Sequence, residues 1–87
     1  MGKIKIFYKN GCPQCSETVR LKRYLTQERI PFEEYDIETA EGLAEAAFYG
    51  VFSVPSIVIE SKEENGIKKW LGSVPSFSEV IRAVKNL

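Results

Sequence analysis

The chain has 87 residues, and its 12 lysines and arginines balance its 12 aspartates and glutamates, so its formal net charge at pH 7 is zero. This length predicts a single domain, residues 1–87, and the charge balance disfavours nucleic acid as a partner. No apolar run approaches the roughly 20 residues that cross a bilayer, and lysines interrupt the N-terminus, unlike a secretory signal. We therefore expect a monomeric cytoplasmic protein, in a compartment that keeps thiols reduced.

The first half of the chain predicts two β-strands, each followed by an α-helix. Residues 3–8 (KIKIFY) alternate as a strand whose second face becomes apolar toward its end. A helix is predicted from about Pro13 to Glu28, and a strand of about five residues within 31–38 (PFEEYDIE). Residues 39–49 predict a second helix, which Gly50 ends. The apolar positions expected on the inward faces of these helices are Val19, Leu21, Tyr24, Leu25, Leu43, Ala46 and Ala47.

The second half predicts a β-hairpin and a closing helix. Residues 56–61 (SIVIES) are typical of a central strand covered on both faces, and Asn65-Gly66 predicts a two-residue turn into a strand over 67–72. Residues 76–87 have helical apolar spacing, with Ser76 and Glu79 at the positions of a capping box. Trp70 is expected to pack inside, and the alternative is an exposed side chain that contacts a partner protein. We expect a place in the core or in the wall of a groove for Phe48, Tyr49, Val51 and Phe52. We expect a solvent-exposed rim of the hairpin at Glu60, Lys62, Glu63 and Glu64.

The predicted order is strand, helix, strand, helix, strand, strand, helix. Two βα units followed by a hairpin and a closing helix indicate an α/β fold with a four-stranded mixed sheet. The first two strands would be joined by a right-handed crossover, and helices would cover both faces of this sheet.

The cysteine pair is the strongest chemical signal in the chain. Cys12 and Cys15 are the only cysteines, and a bridge between them would close a loop too short to stabilise the fold much. They lie where the first predicted helix begins, and a helix N-terminus lowers the pKa of a thiol, as would the nearby charge of Lys9. Their spacing permits a reversible disulfide. This pattern predicts Cys12 as the attacking thiol and Cys15 as the resolving thiol.

Metal binding is the alternative use of such a pair. A closed zinc site needs four ligands, and the chain has no third cysteine and no histidine. An iron–sulfur cluster would likewise need a second protomer or outside thiols. We therefore expect no metal site within one chain. The alternative hypothesis is a non-enzymatic carrier that binds an iron–sulfur cluster or a metal through Cys12 in a dimer, and an inert cysteine pair is the third interpretation.

A second motif, SVPSIVI, lies directly before the predicted central strand. Pro55 cannot donate a hydrogen bond to the strand ladder, so strand stability does not explain it. If the bond between Val54 and Pro55 is cis, the main chain of Val54 is free to pair with an extended peptide. The other interpretation is an ordinary trans proline in a turn.

Together, CPQC after the first strand, SVPSIVI before the third and the βαβαββα order resemble a glutaredoxin of the thioredoxin superfamily. The resemblance covers essentially the whole chain and implies a thioredoxin-like, glutaredoxin-type fold. It implies that Cys12 and Cys15 are the redox dithiol and that Pro55 is a cis-proline facing the active site. It further implies that the main chain of Val54 contacts substrate and that Lys9 lies beside the carboxylate of a bound thiol.

The same resemblance implies the activity. The chain would be a thiol-disulfide oxidoreductase that reduces protein disulfides or glutathione mixed disulfides, with no tightly bound cofactor and with glutathione as a candidate co-substrate. Electrons would come from glutathione or thioredoxin reductase. The substrate-binding residues implied are Lys9, Pro13, Gln14, Val54, Pro55, Gly72 and Ser73.

Several positions depart from the usual glutaredoxin pattern. Gln14 replaces a Tyr or Phe, Ser53 replaces a Thr, and Ser73 replaces the second glycine of a Gly-Gly pair. Residues 75–76 (Pro-Ser) replace the acidic pair that holds the glutamyl end of glutathione. Thioredoxins proper usually have Trp-Cys-Gly-Pro-Cys and a buried acid in the first core strand, whereas Gly11 precedes Cys12 here and that strand offers Ile4 and Ile6.

Overall fold

A computed structural model describes residues 3–11, 16–60 and 67–86 of the chain. The elements are β1 (Lys3–Tyr8), α1 (Ser16–Gln27), β2 (Phe32–Asp36), α2 (Ala40–Tyr49), β3 (Ser56–Glu60), β4 (Ile67–Leu71) and α3 (Phe77–Asn86). The predicted βαβαββα order is confirmed. The predicted helix start at Pro13 and the predicted turn at residues 65–66 lie outside the described residues. Within the described ranges, no helix has the length and hydropathy to cross a bilayer.

The four strands form one mixed sheet in the order β2-β1-β3-β4. β1 pairs with β2 in parallel and with β3 antiparallel, and β3 pairs antiparallel with β4. The two central strands, β1 and β3, are those whose sequences have apolar residues on both faces, because both faces are covered. The predicted α/β class and four-stranded mixed sheet are confirmed.

Each face of the sheet has its own hydrophobic core. On one face, α1 and α3 cover the even-numbered residues of β1 and the odd-numbered residues of β3. This larger core contains Ile4, Ile6, Leu21, Leu25, Ile57, Ile59, Val80 and Val84, and Trp70 packs against it as predicted. On the other face, α2 and the segment after it contribute Ala46, Tyr49 and Val51, which pack with Phe7 and Val58. The alternation of side chains along β1 and β3 thus supplies both cores.

The inward faces of α1 and α2 differ from the predicted ones. The buried residues of α1 are Thr18, Leu21 and Leu25, whereas Val19 and Tyr24 are about half exposed. The buried residues of α2 are Gly42, Ala46 and Tyr49, so the prediction of Leu43 and Ala47 as inward was wrong. Both stripes follow the i, i+3/i+4, i+7 spacing of a helix. Thr18 and Gly42 therefore occupy inward positions for which the sequence predicted their apolar neighbours, Val19 and Leu43.

The segment 48–52 is only half buried. Tyr49 and Val51 enter the core as predicted, but Phe48 is 77% exposed and Phe52 is 87% exposed, so their assignment to core or groove wall was wrong. The prediction that Glu60 lies on a solvent-exposed rim was also wrong. This residue is half buried and accepts a hydrogen bond from the Tyr49 hydroxyl at 2.8 Å. Residues 62–64 lie outside the described residues.

A buried lysine links β1 to α2 on the α2 face of the sheet. Lys5 of β1 is 7% exposed, and its Nζ donates to Glu45 Oε1 at 2.9 Å and to the Tyr49 hydroxyl at 2.8 Å. The ammonium also lies 4.6 Å from the centroid of the Tyr49 ring. Burial by itself lowers the pKa of Lys5, but the hydrogen bonds to Tyr49 and Glu45 outweigh it and raise that pKa above 10.5. The lysine therefore stays charged inside the fold.

On the edge strand β2, a hydrogen bond between Tyr35 and Glu33 shifts the pKa values of both residues. The Tyr35 hydroxyl donates to Glu33 Oε1 at 2.8 Å. This hydrogen bond is the main cause that lowers the pKa of Glu33 and that raises the pKa of Tyr35 to about 12. Both shifts favour the pair in which the carboxylate is charged and the phenol is protonated.

Replacing Lys5 with methionine is expected to lower the free energy of unfolding at pH 7 by about 1–3 kcal/mol, since Glu45 and Tyr49 lose a charged donor. The pKa of Lys5 is raised in the folded state, so its contribution is fully present below pH 10.5 and declines as the pH rises above that value. Urea unfolding at pH 7 and pH 11 checks this expectation. Lys3→Met is the matched control, because Lys3 pairs with Glu33 at the surface at 3.4 Å and should cost under about 1 kcal/mol. Equal losses in the two variants would contradict the role of the buried network.

Candidate functional site

Three strand ends meet at one end of the sheet. In the ladders, Phe7 near the end of β1 lies opposite Ser56 at the start of β3, and Ser56 lies opposite Leu71 at the end of β4. The residues that follow β1, precede β3 and follow β4 are therefore neighbours. These three segments hold all of the described residues that the sequence predicted for the site.

The Val54–Pro55 segment occupies the middle of this end. The peptide bond between the two residues is cis, Pro55 is fully buried, and Val54 is half buried against the core on the α2 face. The C-terminal end of α2 fixes the approach to this segment. Gly50 adopts the left-handed conformation (φ 70°) and, with Val51, donates to the last carbonyls of the helix, while Lys69 Nζ donates to the Tyr49 carbonyl at 2.6 Å.

A serine hydroxyl joins this segment to the turn after β4. Ser56 Oγ donates to the carbonyl of Ser53 at 2.7 Å and accepts from the backbone N–H of Gly72 at 3.1 Å. Gly72 has a φ of 74°, which a side chain rarely adopts, and a Cβ there would lie 3.4 Å from Ser53 Oγ. The two segments are thus in close contact.

The other predicted site residues have the following places. Lys9 and Ser73 are exposed, and Lys9 directly follows β1. The predicted Cys12, Pro13, Gln14 and Cys15 lie outside the described residues. On either side of them, Gly11 (φ 79°) follows β1 and Ser16 begins α1.

A groove runs from the start of α1 along the segment before α3. It has a volume of about 460 Å³ and is lined by Ser16, Glu17, Arg20, Leu21 and Tyr24 on one side and by residues 74–77 on the other. The rings of Tyr24 and Phe77 meet at its far end with centroids 5.6 Å apart. Ser76 is the N-cap of α3, as predicted, and its Oγ accepts from the Glu79 N–H at 3.2 Å. The sequence did not predict this groove, because its two walls are at least 50 residues apart in the chain.

A comparison with protein-family models assigns this fold to a family. Residues 2–85 match the model of a thioredoxin domain family. The chain belongs to this thioredoxin domain family. Membership supports thiol-disulfide oxidoreductase chemistry as the general class of activity.

Solved structures of similar proteins share the fold of this chain. A thioredoxin-like protein from Clostridium perfringens is 23% identical, with a TM-score of 0.79 over 100% of this chain and 71% of that one. Thioredoxin 1 from Thermosipho africanus is 28% identical, with a TM-score of 0.71 over 97% of this chain and 91% of that one. Mitochondrial thioredoxin 3 from Saccharomyces cerevisiae is 19% identical, with a TM-score of 0.72 over 99% and 78% of the two chains.

A comparison with curated protein sequences gives no significant match. The predicted thioredoxin superfamily is confirmed, and the glutaredoxin type stays a prediction.

Proposed function

We propose that this member of the thioredoxin domain family is a dithiol oxidoreductase that reduces disulfides of protein substrates, and mixed disulfides of glutathione, through its CPQC motif. The observation that supports the proposal is the meeting of three strand ends at one end of the sheet. The described residues nearest in sequence to Cys12 and Cys15 are Gly11, which follows β1 at that end, and Ser16, which begins α1 and lines a groove with residues 74–77. A reactive thiol and a main-chain surface for its substrate would then share one cleft.

The reaction proceeds by two thiol–disulfide exchanges. The Cys12 thiolate attacks one sulfur of the substrate disulfide, which forms a mixed disulfide and releases the other sulfur as a thiolate that takes up a proton. The Cys15 thiolate then attacks Cys12, which forms the Cys12–Cys15 disulfide and releases the second substrate thiol. The substrate gains two electrons and the protein loses two. Two glutathione molecules, or the dithiol of thioredoxin reductase, return these electrons.

The described surroundings suit an extended substrate. The main chain of Val54 and the exposed turn of Gly72 and Ser73 would pair with the peptide next to the disulfide, and Lys9 would meet a carboxylate. The groove between α1 and residues 74–77 would offer Arg20 to an acidic side chain of the substrate. The protein would act without a tightly bound cofactor, as a monomer, in a reducing compartment such as the cytoplasm.

Two coupled assays test the proposal. In one, the protein reduces insulin with NADPH and thioredoxin reductase. In the other, it reduces a glutathione mixed disulfide with NADPH, glutathione and glutathione reductase. We expect turnover in at least one assay, and the faster assay identifies the electron donor. An absence of turnover in both, together with iron and visible colour in anaerobically purified protein, would replace the proposal with the cluster-carrier hypothesis.

A further inference from the structure

The hydroxyl of Ser56 has an unusual position in the fold. Ser56 is the first residue of β3, follows Pro55 directly and is fully buried. A buried hydroxyl destabilises a protein unless it is hydrogen-bonded. This hydroxyl has both a donor and an acceptor partner, so its burial is fully compensated.

The two partners belong to two different segments of the chain. The acceptor is the carbonyl of Ser53, two residues before Pro55, and the donor is the N–H of Gly72, the first residue after β4. The β3–β4 ladder ends at the pair of Ser56 and Leu71. Gly72 therefore lies beyond the ladder, and the Ser56 hydroxyl provides the contact that continues the pairing by one residue.

This bridge sets the separation of the two segments that would border the substrate. A peptide that pairs with the main chain on both sides needs that separation held to within a fraction of an ångström. A small disulfide needs only access to the attacking thiol. The bridge should therefore matter for extended substrates and not for small ones.

We infer that Ser56 is a positioning residue that sets the specificity of the site for extended peptide disulfides, by hydrogen-bonding the Ser53 carbonyl and the Gly72 N–H at the same time. The inference rests on the proposed oxidoreductase activity. Because Ser56 is fully buried, it would act through the Ser53 and Gly72 segments and not by touching the substrate.

The test compares Ser56→Ala, which loses both hydrogen bonds, with Ser56→Thr, which keeps the hydroxyl. We expect Ser56→Ala to lower kcat/KM for a peptide disulfide about tenfold, mainly through KM, and to leave turnover of 2-hydroxyethyl disulfide within about twofold of the wild type. Ser56→Thr should restore peptide turnover. Ser78→Ala is the matched control, because Ser78 is exposed on α3 and should change neither activity.

The outcomes separate this inference from the proposed function. A wild-type protein without activity toward either substrate would overturn the proposed function itself. Equal losses on both substrates in Ser56→Ala, or no loss on either, would overturn the positioning role alone. If Ser56→Ala does not fold, hydrogen exchange in the wild type decides the matter. Slow exchange of the Gly72 amide is expected from its hydrogen bond to Ser56, and exchange at the rate of an unprotected amide would refute the bridge.

Discussion

Cys12→Ser is expected to lower disulfide reductase activity by at least about 1,000-fold, because the attacking thiolate is lost and a serine hydroxyl is not ionised at neutral pH. The measurement is NADPH consumption in whichever coupled assay the wild type supports. Cys15→Ser should instead retain the first exchange and stop at the mixed disulfide, which mass spectrometry of the intact protein detects as an added substrate mass.

The contrast between the two cysteine variants assigns their roles. Both substitutions are the same change three residues apart, so each serves as the control for the other. A trapped adduct on Cys12→Ser, with none on Cys15→Ser, would reverse the assignment of attacking and resolving thiols. Full activity in Cys12→Ser would refute the mechanism. Thermal unfolding of both variants checks that neither loss reflects a loss of the fold.

Gly42→Ala is expected to lower the free energy of unfolding by about 3 kcal/mol and the melting temperature by about 12 °C or more. Gly42 is buried in the first turn of α2, where a Cβ would lie 1.9 Å from the Asp36 carbonyl oxygen. The first turn cannot easily shift. The Thr39 hydroxyl donates to that same carbonyl at 2.7 Å and accepts from the Gly42 N–H at 3.0 Å. Thermal unfolding followed by circular dichroism measures the effect.

The sign of this effect distinguishes packing from helix propensity. Alanine is favoured over glycine within a helix by about 1 kcal/mol, so propensity alone predicts a gain from Gly42→Ala. The control is Ala44→Gly at an exposed position of α2, which should lose about 1 kcal/mol through propensity. Stabilisation in Gly42→Ala would show that the start of α2 can move away from β2, and would contradict the close contact.

The elements were predictable because each has a strong local signal. Alternation in residues 3–8, the apolar run of 57–59 and the Ser76 cap before α3 identified their elements within one or two residues. The parallel pairing of β1 with β2 followed from the βαβ order, since parallel strands need a crossover connection.

Which face of α2 packs on the sheet was less predictable, because the residues that contact the sheet must be small enough to fit as well as apolar. Gly42 faces β2 since the two backbones touch there, and this rotation turns Leu43 outward. Lys5 was placed on a partly polar face, yet it is buried, because Glu45 and Tyr49 of α2 supply its partners. These partners are about 40 residues away in the chain, so no local sequence pattern predicts the burial of Lys5.

In the candidate site, too, some residues were predictable from the sequence and others were not. The sequence motifs and the family resemblance predict Cys12, Cys15 and Pro55 as site residues. The structure shows the cis peptide bond before Pro55, whereas the roles of the two cysteines stay predictions. Ser56 was missed, because a serine at the start of a strand is ordinary until its two partners are known.

By itself, the amino-acid sequence determined the order of the elements, the α/β class, the superfamily resemblance and the spacing of the dithiol, because these depend on residues close together in the chain. Only the tertiary structure decided which side of α2 packs on the sheet, that Lys5 is a buried charge, and that Ser56 joins Ser53 to Gly72. Those features depend on atoms from distant segments meeting at fixed distances. The strand register sets those distances, and it is established only when the whole sheet has formed.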